Sequence, residues 1–67
     1  MAIHPDELRR IEHLISQAEE RVSEQQERVA RLEQEGSDAA AAKEMLLILQ
    51  NSQSLLLSRR DLLLRQM

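Results

Sequence analysis

The chain has no cysteine and no aromatic residue, and it carries one glycine and one proline. Each shortage removes a class of protein. Without cysteine there is no disulfide, no thiolate metal site and no sulfur nucleophile. Without Phe, Tyr or Trp, a monomeric core lacks the side chains that bury the most area. Leucine, isoleucine, valine and alanine alone suit helices stacked in layers. At 67 residues the chain makes one small domain. Chains below ~70–80 residues rarely build a sufficient core without a staple, and here association is the staple left.

Positive charge is also scarce. Nine bases stand against 12 acids, for a net charge of −3. Nucleic-acid affinity comes largely from Lys and Arg neutralising phosphates, so a phosphate-binding surface is not expected. No basic segment leads into an apolar core with a small-residue cleavage site, so no signal peptide is expected. The leucine-rich segment is broken at Gln50–Ser54 and again at Ser58–Asp61. It falls short of the ~18–20 apolar residues of a membrane span. The expectation is a cytoplasmic protein.

What is present in quantity is leucine, from Met45 to Met67. At about 100° per residue, Leu46, Leu49, Leu56, Leu63 and Met67 form one helical stripe. Met45, Ile48, Leu55 and Leu62 form a second stripe beside it. Lys43, Gln50, Asn51, Ser54, Ser58, Asp61 and Arg65 make the polar face, with Leu47 intruding. The apolar arc is roughly 220° wide, where about 100° covers one neighbour. One partner helix cannot bury it.

The first half of the chain is narrower. Pro5 suits a first helical position, with His4 as a mediocre N-cap and Asp6 and Glu7 favouring the positive end of the dipole. Leu8, Ile11, Ile15, Ala18, Val22, Gln25, Val29 and Leu32 then alternate three and four apart, with Leu14 beside them. This is a coiled-coil seam with one polar substitution, Gln25. The other faces are charged or amide, with acid-first pairs such as Glu24–Arg28 and Glu27–Arg31.

Gly36 ends this helix as a left-handed C′ residue, and Ser37 or Asp38 restarts the chain as an N-cap. Ala39–Ala42 follow, a strong helix former that also lets two backbones approach. The expected fold is all-α: an antiparallel, coiled-coil-like two-helix hairpin filling one domain, residues 1–67. Helix 1 covers about 5–35, the turn 36–38 and helix 2 about 39–66. Folding about the turn brings Leu32 to Ala42, Val29 to Met45, Val22 to Ser52, Ile15 to Arg59 and Leu8 to Gln66. It also brings Asp6, Glu7 and Glu12 near Arg59, Arg60 and Arg65 at the open end.

Candidate chemistry is thin. His4 and His13 are the only histidines. The Glu-x-x-His spacing of carboxylate-bridged bundles is absent, since Arg10 stands three residues before His13. No serine has a triad, and no glycine-rich loop cradles a phosphate. A hairpin offers no pocket of its own for catalysis. No catalytic residue, metal or cofactor is expected, and the protein is not expected to be an enzyme.

Gln25, Ser52 and Gln53 fall at neighbouring levels near the middle. They could form a polar layer that fixes register, or sit at the seam's margin and reach water. The length of a glutamine side chain favours the margin. Arg60 falls on the first stripe between Leu56 and Leu63, and Arg59 beside it. The simplest account is an edge arginine with its stem over leucine, ahead of an anion-binding role.

The run V-A-R-L-E-Q-E-G-S-D-A-A-A-A, with a valine seven residues before its first valine and a later S-R-R-D-L-L-L, carries a resemblance. From Ile11 to Leu64 the chain resembles a group of short alphaproteobacterial helical-hairpin proteins of unknown function. The resemblance implies a bacterial source and brings no functional residues with it.

The mismatch between a narrow first helix and a wide second one leads to self-association. A homodimer forming a four-helix bundle is expected, with Met45, Ile48, Ser52, Leu55 and Leu62 at the interface and Gly36, Ser37 and Asp38 in the turn. An adaptor or small regulator of another protein fits this pattern. The alternative is a peripheral membrane or helix-groove binder using the same apolar face. A membrane binder would carry several Lys or Arg on the polar face, where only Lys43 and Arg65 stand.

Overall fold

A computed structural model of the chain describes residues 5–66. Helix α1 spans Pro5–Gln34 and helix α2 spans Ala40–Arg65. They pack side by side as an antiparallel hairpin, a rod with principal extents of 53 × 14 × 12 Å. Among the described residues there is no strand. His4, the expected N-cap of α1, and Met67, the last residue of the first stripe, lie outside the described residues.

The turn forms for the reason the sequence suggests. Gly36 has φ of +72°, the left-handed region that costs a residue without Cβ nothing. The Ser37 amide donates to the Leu32 carbonyl at 2.9 Å, and the Gly36 amide donates to the Glu33 carbonyl at 3.2 Å. These two bonds are the Schellman closure, and they satisfy carbonyls that the ending helix would leave orphaned.

The restart of the chain differs from expectation. The link runs over residues 35–39, longer than 36–38, and the N-cap of α2 is Ala39. Its carbonyl accepts the first helical bond, from the Lys43 amide at 2.9 Å. Alanine has no side-chain acceptor for a free amide. Asp38, one residue earlier, supplies it: its Oδ1 accepts from the Ala40 amide at 2.9 Å. Asp38 therefore does the chemistry of a cap from outside the cap position, while the Ser37 side chain makes no capping bond to α2.

The core is the α1 seam. Ile11, Ile15, Val22 and Val29 are buried, and Ala39 closes the turn end. Leu8, Ala18, Gln25 and Leu32 complete the seam, half-buried. Helix α2 has no buried residue. Its half-buried residues are Ala42, Leu46, Leu49, Gln50, Gln53, Leu56, Leu57, Arg60 and Leu63, which centre on the first stripe. A narrow seam lies under a broad helix. The broad helix has surface left over.

The expected ion pairs at the open end do not form. Among the described residues the only ion pair is Lys43 Nζ to Glu33 at 3.4 Å, beside the turn, with both side chains more than half exposed. Glu24–Arg28 and Glu27–Arg31 do not close either. Exposed pairs gain at most ~1 kcal/mol and cost side-chain entropy, so opposite charges can sit near each other without closing.

Candidate functional site

A flank of α2, next to the side that packs on α1, carries the second stripe, and its first residue, Met45, also lines a cleft with Gln25, Arg28 and Leu32 of α1. Met45 is 48% exposed, Ile48 58%, Leu55 73% and Leu62 56%. Ser52, also exposed, lies between Ile48 and Leu55 on the same face. These residues recur three and four apart, and Arg59 completes the series, also exposed. Helical periodicity therefore aligns them along one side of α2. Ser52, Leu55, Leu56, Ser58, Arg59 and Leu62 line an open groove on it.

The flanks of this stripe differ in character. Leu49, Leu56 and Leu63 lie on the side shared with α1 and are half-buried. Glu44, Asn51, Ser58 and Arg65 lie on the other side and are exposed. Leu47 and Leu64 are exposed at 62% and 46%. Sequence periodicity placed Leu47 on the polar face, and it stays there.

Gln25 keeps partial exposure and also makes a bond across the hairpin. Its Nε2 donates to the Ala42 carbonyl at 2.9 Å, crossing from α1 to the first turn of α2. Gln53 is half-buried and Ser52 faces out, so the three residues do not form one layer.

Arg60 stays on the inner face, half-buried. Its Nε is buried with no hydrogen-bond partner. Arg59, besides lining the groove on α2, borders a cleft near the open end with Glu7, Arg10, Ile11 and Leu63. His13 is exposed on α1. Among the described residues no three His, Asp or Glu side chains cluster as metal ligands, and none of their helices is long and apolar enough to cross a membrane.

The arrangement offers burial. Covering a Leu, Ile or Met contributes ~1.5–3 kcal/mol each. That figure is for full burial from full exposure; these four residues are already about half covered, so the sum reaches only the low end of the ~5–15 kcal/mol stability of an ordinary domain.

Comparison of the chain with protein-family models, with curated proteins and with solved structures finds no match.

Proposed function

We propose that the protein is a non-enzymatic interaction module: a helical hairpin that pairs with a second copy through the exposed stripe of α2, forming a four-helix bundle. The observation that supports this reading is the aligned exposure of Met45, Ile48, Leu55 and Leu62 along one flank of α2, beside the intrachain seam. Contiguous apolar surface of this kind on a small protein marks an interaction site. A two-fold dimer covers it economically, because one stripe serves both subunits. In this reading the protein works in the cytoplasm as an adaptor or small regulator, and α2 lies at the centre of the assembly.

The test is a pair of substitutions. Leu55→Glu places a charge on the stripe and is expected to lower both the assembly mass and the helix content. Glu27→Ala, on the solvated face of α1, is expected to change neither. An unchanged mass for Leu55→Glu would contradict the reading. Co-sedimentation of the wild-type chain with liposomes, without self-association, would move the stripe to a membrane surface.

A further inference from the structure

We propose that the two hairpins pair antiparallel, α2 against α2, with Glu44 of each protomer set against Arg65 of the other. This rests on the self-association reading above and adds its geometry, which follows from how the flanks of the stripe are sorted.

The exposed stripe runs Met45, Ile48, Ser52, Leu55, Arg59, Leu62, alternating three and four residues apart. One antiparallel register engages all six positions. It sets Met45 opposite the partner's Leu62, Ile48 opposite the partner's Arg59, and Ser52 opposite the partner's Leu55. Registers shifted by a heptad leave one end of the stripe uncovered. In antiparallel helix pairs each flank meets its own kind. On one side the half-buried Leu49, Leu56 and Leu63 meet the same leucines of the partner, beside both copies of α1. On the other side the exposed Glu44 meets the partner's Arg65, and Asn51 meets the partner's Ser58. The two-fold axis repeats each pairing.

A parallel pair fails on the same residues. There, one helix's apolar flank meets the other's polar flank: Leu49 against the partner's Glu44, Leu56 against the partner's Asn51, Leu63 against the partner's Ser58. It also sets Arg59 directly against the partner's Arg59 within the stripe, like charge on like charge. Flanking charges of this kind set partner choice and orientation more than raw affinity.

The chain has no cysteine, so Ser37→Cys gives a unique labelling site on the exposed turn. Spin labels there report the distance between the two turns. The antiparallel pair predicts a single separation of roughly 40–50 Å, from a rise of 1.5 Å per residue. A separation under about 20 Å, with helix axes 8–10 Å apart, would make the hairpins parallel and overturn this inference while leaving the dimer intact. No dipolar signal together with a monomer mass would overturn the dimer reading itself. A charge swap gives an independent readout. Glu44→Arg and Arg65→Glu are each expected to weaken dimerisation about fivefold, a typical size for exposed pairs, and the double variant to restore it. Failure of the double variant to restore binding overturns the pairing.

Discussion

The Gln25 side-chain amide reaches across the hairpin and donates to the Ala42 carbonyl at 2.9 Å. It is the only polar residue in the α1 seam, and the bond ties the seam to the first turn of α2. Ala42 lies in a helix, so removing Gln25 does not strand a lone acceptor. Gln25→Ala is expected to cost ~1 kcal/mol, mostly from the lost bond and packing. Gln25→Leu is expected to be near neutral in stability but less specific in register. Amide-exchange protection near Ala42 and a urea melt check both.

Gly36 has φ of +72°, and a Cβ built there meets nothing within 4 Å. The cost of a side chain is therefore conformational and not steric crowding. Gly36→Val is expected to destabilise by ~1 kcal/mol or more, and Gly36→Asn by less, since asparagine tolerates the left-handed region. Equal thermal midpoints for all three proteins would contradict this account of the turn.

Arg60 holds a buried Nε without a partner on the half-buried face of α2, in a stretch shared with Leu56, Leu57 and Leu63. An unsatisfied buried donor costs ~1–3 kcal/mol. Arg60→Met keeps much of the stem and removes the orphan group, so it is expected to raise the thermal midpoint. A lower midpoint would show that the guanidinium finds a partner in solution.

Helix content is expected to be the same with and without a chelator, because no described cluster of ligands holds the hairpin together. A cooperative loss of ellipticity on adding EDTA would place a metal at His13 or outside the described residues.

Much of the hairpin was legible because each signal had one physical meaning. The alternating Ile and Val positions of α1 could serve only as a seam, and Gly36 could serve only as a stop. The two stripes of α2 were separable because a helix has a fixed turn per residue. What the sequence concealed depended on small energies or single-residue shifts. Asp38 and Ala39 differ by one position in which acts as cap and which supplies the acceptor. Glu7 and Arg59 line one cleft without forming an ion pair, because exposed attraction is too weak to overcome side-chain entropy. Gln25 could be read as part of a polar layer or as a marginal residue reaching water, and periodicity alone does not reveal its bond to the Ala42 carbonyl.

Leu55 is the most exposed large apolar residue among the described residues, at 73%. In an isolated hairpin its side chain would do little, whereas in the proposed dimer it would sit near the two-fold axis. The most direct measurement of the central claim is sedimentation equilibrium of the wild-type chain at micromolar concentration. The account predicts twice the chain mass, falling to the single-chain mass in Leu55→Glu. A well-folded wild-type monomer at that concentration would contradict it.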